Sequence, residues 1–272
     1  MSHSKVIELK SLKNTRDLGG MPSYNGQKVK DKRIIRSGNL SVASKEDLEI
    51  LRDKYNLKRV IDLRTEHERN EKPDVKIDGI EYINNPILTE EQMGITKETK
   101  LTKRTSNSLF VSTRIKENNA FSFMKDIYIN FVDNPYCLSQ YSNFIKLLLS
   151  YSDGATLYHC SVGKDRVGIA TYIILSLLDV NENDIVEDFM LTNYLIEDNI
   201  IKEIDELKAE INDPRLEETY RILFQVQKEY IEAIINYINT NYGSFYDFRK
   251  NILKITDDEV KKFKELYLDK KI

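Results

Sequence analysis

Residues 158–168 read Tyr-His-Cys-Ser-Val-Gly-Lys-Asp-Arg-Val-Gly and hold most of the reactive side chains that stand close together in this chain. A β-rich run, Thr156 to Cys160, precedes the stretch, and the apolar run Gly168 to Leu178 follows it, so the pattern predicts strand, loop and helix. In that arrangement the backbone N–H groups at the helix start converge on an anion. Cys160 opens the loop, with the positive end of the helix dipole, Lys164 and Arg166 around it. All three favour negative charge on its sulfur, which makes Cys160 a nucleophile. Arg166 lies six residues later, far enough for the loop to curl around a tetrahedral anion. Its planar fork can hold two oxygens at once, which a Lys cannot do. Gly163 permits a tight turn with N–H groups inward, and Gly168 lets the helix start close to the strand. Ser161, Val162, Gly163, Lys164 and Val167 then line the anion site. A thiolate, a ring of N–H donors and an Arg fork together suit phosphoryl transfer through a cysteinyl-phosphate.

Other readings of these residues are weaker. A nucleotide-binding Gly-Lys loop fails because position 158 is Tyr rather than Gly and Lys164 is followed by Asp165. A sulfur-transfer or redox enzyme would need neither Arg166 nor the paired glycines. Cys137, after Pro135-Tyr136, has no basic or Gly-rich context and reads as a packing residue. His159 reads as a support that hydrogen-bonds backbone near the sulfur, and His67 as a surface residue at a helix start. Asp62 stands at a strand end, where it either supports the loop from beneath or makes a turn or ion pair. Arg16 and Asp17 either position the loop or pair with each other, the structural role being the simpler.

The elements that must carry this loop are legible as an alternation. Short β-rich runs occur at 33–36, 59–64, 80–83 and 156–160, separated or followed by helical patterns. Ser44 to Tyr55 reads as a helix capped by Ser44. Strands alternating with helices imply a mostly parallel sheet covered on both sides, an α/β fold. The run 168–178 is apolar all round, as in a buried helix. Roughly Glu182 to Leu268 carries apolar residues at helical spacing, which predicts several amphipathic helices with breaks at Asp213-Pro214 and Gly243. The segment Gly94 to Lys116 differs. It sets six cationic residues against Glu98, a local balance of +5, with little apolar periodicity. It reads as a solvated connecting loop or as a basic flap over an anionic substrate. No repeat, low-complexity tract or linker interrupts the 272 residues, so one domain over 1–272 is expected, with a lid insertion over about 88–135.

Composition excludes several classes. The net charge of −3 is not the basic bias of a nucleic-acid binder. Two Cys make no disulfide framework. His3, His67 and His159 are too scattered for a zinc site built from neighbours, so no metal is expected. Mean hydropathy is −0.49, and no stretch approaches the roughly 18 apolar residues of a membrane span. The N-terminus has no signal-peptide core. The cytoplasm is the default compartment, with export by a route lacking a cleaved signal left open.

The stretch HCSVGKDRVG resembles the Cys-x5-Arg loop of protein tyrosine phosphatases. It is most similar to the HCxxGKDR version of bacterial phosphatases related to the secreted Mycobacterium tyrosine phosphatase B and the Listeria lipid phosphatase. Asn14 to Gly20 resembles that family's RDLGG motif, Arg36-Ser37-Gly38 its RSG, Val60 to Thr65 its DLRT strand, and Tyr242-Gly243-Ser244 its Tyr-Gly-Ser before a final helix. The resemblance spans nearly the whole chain. It implies a cofactor-independent phosphatase acting on phosphotyrosine, in some members also on phosphoserine/threonine and phosphoinositides. Lys164 and Asp165 are associated with that wider range. It also implies that Asp165 is the general acid, and the stretch Tyr82 to Ile87, where an alternative acid would stand, has no Asp. The partners implied are a phosphorylated protein or a phosphoinositide.

One position departs from the family pattern. Val167 stands where a Ser or Thr hydroxyl steadies the departing thiolate. Either hydrolysis of the intermediate is slow, or the chain is a catalytically quiet phosphate-binding module. Slow hydrolysis predicts a burst of released alcohol in rapid-quench kinetics, shrinking in Val167→Thr. A linear trace with no gain from Val167→Thr contradicts it.

Overall fold

The computed structural model describes residues 4–92 and 103–270, with backbone only at 103–106. Its centre is a six-stranded sheet of β1 (Lys5–Val6), β2 (Arg16–Asp17), β3 (Ile34–Ser37), β4 (Leu57–Asp62), β5 (Glu81–Asn84) and β6 (Ala155–His159). The spatial order is β1-β2-β3-β6-β4-β5. Strands β3, β6, β4 and β5 run parallel, and the two-residue β1 and β2 extend the β3 edge antiparallel. The four parallel strands lie within a residue or two of the β-rich runs in the sequence. Strands β1 and β2 carry no such signal, because two residues are too few for a period. β6 is fully buried between two neighbours, as a parallel strand must be when helices cover both faces.

The helices between β3 and β5 are short. Ser44 caps α1 (Lys45–Glu49) by accepting from the Asp47 N–H, and the chain continues as a π-helical turn, Ile50–Lys54. Helix α2 (Glu66–Glu71) follows β4 directly and opens with Thr65 and Glu68 capping each other reciprocally. Between β5 and β6 come α3 (Lys103–Glu117), α4 (Ala120–Asp133) and α5 (Pro135–Leu149). The C-terminal part is helical, as its periodicity implies: α6 (Asp165–Leu177), α7 (Glu182–Leu207), α8 (Leu216–Phe224), α9 (Lys228–Tyr242), the single turn α10 (Phe245–Asp247) with a π-helical turn after it, and α11 (Asp257–Tyr267). Helix α6 is buried on almost every side and joins the main core to the sheet. No helix among the described residues is long and apolar enough to cross a membrane.

The basic segment is corrected in part. Gly94–Thr102 lies outside the described residues, but Lys103–Glu117 is helix α3 rather than a connecting loop. Val111 and Ile115 are four apart and buried, and Phe110 packs edge-on against Phe123 and Phe224. These three inward residues suffice for a packed stripe, but with Leu109 exposed beside them and many Ser and Thr between they leave little visible period. Arg114 is spent on the Phe123 ring, 4.4 Å away, and on Glu117 at 3.1 Å. Helices α3 and α4 pack on α8 and α9.

Successive strand residues point to opposite faces, so Arg16 and Asp17 do not pair with each other, contrary to the simpler sequence reading. Asp17 accepts from the Gly19 and Lys32 N–H groups. Arg16 turns to Asp188 of α7, whose carboxylate also takes Arg36 of β3, at 3.0 and 2.5 Å respectively. All three side chains are fully buried. Burial pushes the Asp188 carboxyl up, but the two guanidinium charges outweigh it and hold it below its ordinary value. Removing one member of such a group strands a buried charge. Asp188→Asn should therefore cost about 3–5 kcal/mol in urea unfolding, and a cost under about 1 kcal/mol would show that the cluster does not hold the sheet to α7.

Candidate functional site

The loop between β6 and α6 is held from outside by its carbonyls. His159 Nδ1 lies 3.2 Å from the Cys160 carbonyl, and Asn39 donates to Ser161 O from both its side chain (2.6 Å) and its backbone (3.3 Å). Asn14 Nδ2 donates to Val162 O and Gly163 O at 3.1 and 3.0 Å, and Arg36 Nη2 to Gly163 O at 2.9 Å. In a planar trans peptide the C=O of one residue and the N–H of the next point oppositely. Four outward carbonyls therefore turn the N–H groups of Ser161, Val162, Gly163 and Lys164 to the loop's inner side. Helix α6 makes its first described backbone bond from Gly168 N–H to Lys164 O, so the amides of Asp165, Arg166 and Val167 lie in the turn that has no intrahelical acceptor. Gly163 sits at φ +74°, and a Cβ there would lie 2.5 Å from Ser37 O, which only glycine avoids. Gly168 has a different reason from the one its spacing suggests: a Cβ would meet the Phe189 ring of α7 at 2.9 Å, so it serves helix–helix rather than helix–strand packing.

Cys160 is 3% exposed at the mouth of this loop. Arg166 is held end-on by Glu68 of α2, with Nη1–Oε2 at 2.6 Å and Nη2–Oε1 at 2.8 Å. Ser161 Oγ also donates to Glu68, and Thr65 N–H donates to it at 3.0 Å. Burial pushes the Glu68 carboxyl up, but Arg166, Ser161 and Thr65 together bring it down to about 2. Burial alone would lower the Arg166 guanidinium. Its pairing with Glu68 raises it instead, with further contributions from the neighbouring Cys160 and Asp165, so it stays cationic. Glu68 was missed from sequence, although Thr65-x-x-Glu68 after a strand is a capping-box signature that marks it.

Asp165, first residue of α6, accepts from Tyr128 Oη of α4 at 2.5 Å and lies 3.4 Å from Lys164 Nζ. The Lys164 side chain is buried and turned away from the loop's inner side, donating to Leu223 O (2.9 Å) and Gln225 O (3.5 Å) at the end of α8. Val167 is fully buried, and Thr171 Oγ1 donates to its carbonyl at 2.7 Å.

Asp62 proves to be an ion-pair residue with an indirect reach to the loop. It takes Arg64 at 2.7 Å, and Arg64 also takes Asp74 at 2.9 Å. His159 Nε2 lies 2.9 Å from Asp74 Oδ2 and 3.8 Å from Asp62. Among the described residues this is the one group with donor atoms spaced for a metal, but the Arg64 guanidinium already bridges its two carboxylates. Arg16 reaches the loop through Asn14 and Asp188. Cys137 is packed in the core, and burial raises its thiol to about 11. His67 is exposed on α2.

A parallel sheet whose central strand delivers Cys-x5-Arg into the start of a buried helix defines a phosphatase of the tyrosine-phosphatase type. A family model described as the tyrosine phosphatase family matches residues 7–269, and the chain belongs to that family. It is similar to a protein of Cupriavidus necator named by inference a tyrosine-protein phosphatase, with 27% identity over 255 residues, covering 90% of this chain and 83% of the relative. It is also similar to a tyrosine-protein phosphatase of Nostoc commune, with 25% identity over 167 residues, 61% of this chain and 49% of that one.

A carboxyl lowered from 4.5 to about 2 contributes stability that is complete above the higher value and is lost as pH falls through the lower. The stability gap between wild type and Glu68→Gln should thus be constant near neutrality and shrink between about pH 4.5 and 2. A gap independent of pH in denaturant titrations would contradict the Glu68–Arg166 pairing.

Proposed function

We propose that this phosphatase hydrolyses phosphotyrosine through a cysteinyl-phosphate on Cys160. The observation that carries the reading is the loop whose carbonyls are all bound from outside, so that its amides and Arg166 surround the space in front of the sulfur. The Cys160 thiolate attacks phosphorus, and the bond from phosphorus to the leaving oxygen breaks. That oxygen takes the proton of Asp165. Water then attacks phosphorus, Asp165 accepts its proton, and the S–P bond breaks to return the thiolate and free phosphate. Arg166 and the amides of Ser161, Val162, Gly163 and Lys164 balance the charge on the non-bridging oxygens in both steps. Proton transfer of this kind contributes about 10²–10⁴-fold.

The wider range, phosphoserine/threonine and phosphoinositides, rests on Lys164 and Asp165 in the loop. The Lys164 side chain, committed to the end of α8, supports that range only if it turns toward the substrate. A lid over about 88–135 is supported by α3 and α4 packing beside the loop on α8 and α9, with Tyr128 reaching Asp165.

Hydrolysis of p-nitrophenyl phosphate by wild type and Cys160→Ser, with and without vanadate, tests the reading. Turnover should be abolished by the substitution and inhibited by vanadate. Turnover that survives Cys160→Ser and ignores vanadate would contradict it. A wild type that binds phosphopeptides but turns over no phosphoester would favour the quiet module.

A further inference from the structure

We propose that Tyr128 is a positioning residue for Asp165, fixing which carboxyl oxygen carries the proton that the leaving group takes. The inference rests on Asp165 being the general acid. Asp165 Oδ1 takes the Tyr128 hydroxyl of α4 at 2.5 Å and lies 3.4 Å from Nζ of the preceding loop residue, Lys164. The nearest approach of each falls on Oδ1 rather than Oδ2, and the Asp165 side chain is 29% exposed where the Tyr128 ring is fully buried. An oxygen that accepts from a phenol and faces an ammonium is a poor place for a proton. The acidic hydrogen is therefore placed on Oδ2.

Tyr128 is unusually well fixed for this role. Its ring stacks on Tyr230 of α9 at 4.9 Å and 26°, and the edges of Phe131 and Phe189 meet it at 6.0 Å, near perpendicular. Such contacts leave the hydroxyl one direction in which to point. Burial and the neighbouring Asp165 push the phenol well above its ordinary value, so it remains a donor throughout the neutral range. Lys164 is pinned in turn by the carbonyls of Leu223 and Gln225. The carboxyl is thus oriented from α4 and α8, outside the phosphate loop, and sequence carries no sign of it, since Tyr128 lies in an ordinary amphipathic helix.

The test is Tyr128→Phe, which keeps the ring stack and removes the donor. A leaving group that departs without a proton should be indifferent to the change, whereas a poor one should not. With phenyl phosphate kcat/KM, which reports the step in which the leaving group departs, should fall about tenfold, with dinitrophenyl phosphate less than about twofold, and tungstate binding should be unchanged. Tyr128→Met, which fills the space without a donor, repeats the measurement should the first variant not fold. Equal losses on both substrates, or none on either, overturn the positioning role. Asp165→Asn run alongside separates the two ideas. If it too shows no leaving-group dependence, the acid assignment itself fails. If Asp165→Asn is selective and Tyr128→Phe is not, only the role of Tyr128 falls.

Discussion

The orientation of four peptide units, from Cys160 to Lys164, is the constraint on which the rest of the molecule depends. A loop of five residues has no regular ladder to fix its carbonyls, and an anion site needs them facing away. The chain meets this with Asn14, Arg36, Asn39 and His159, drawn from the N-terminal segment and from strands β3 and β6 or the turn after β3. Each anchor is itself held. Asp188, reaching over from α7, fixes Arg36 and Arg16, Arg16 bonds Asn14, and Asp74 faces His159. The buried charges that look like a stability cost are the outer frame of the loop.

The same logic governs the cation in the site. A buried guanidinium is costly without a partner, and Glu68 supplies one from the end-on side. In the proposed mechanism the other edge of the fork takes the incoming phosphate. Because Glu68 also caps α2 and accepts from Ser161, helix start, loop and Arg166 share one carboxylate. A change at any of the three is felt by the other two.

Much of this was legible in sequence, for physical reasons. The parallel strands show as short β-rich runs, the buried helix α6 as an apolar stretch, and the loop as a Cys, Gly, Lys, Asp, Arg cluster whose chemistry has few alternatives. Partners distant in sequence were not legible. Asp188 is one acidic residue among many on α7, Tyr128 one aromatic among sixteen tyrosines, and Asn14 one turn residue at positive φ. The direction of the Lys164 side chain was equally hidden, since it depends on where α8 ends. Helix α3 escaped because its four apolar residues, three of them consecutive and all among Ser and Thr, give almost no period.

Oxyanion affinity with the Asn14 side chain removed tests the central constraint most directly. Asn14 sits at φ 60° and donates to both Val162 O and Gly163 O, so Asn14→Gly deletes two anchors without straining the backbone. Calorimetric titration with tungstate should show binding weakened about tenfold or more, with the thermal transition still cooperative, at about 1 kcal/mol for each lost hydrogen bond. An unchanged Kd in a folded Asn14→Gly protein would contradict the claim that outward-held carbonyls make the site.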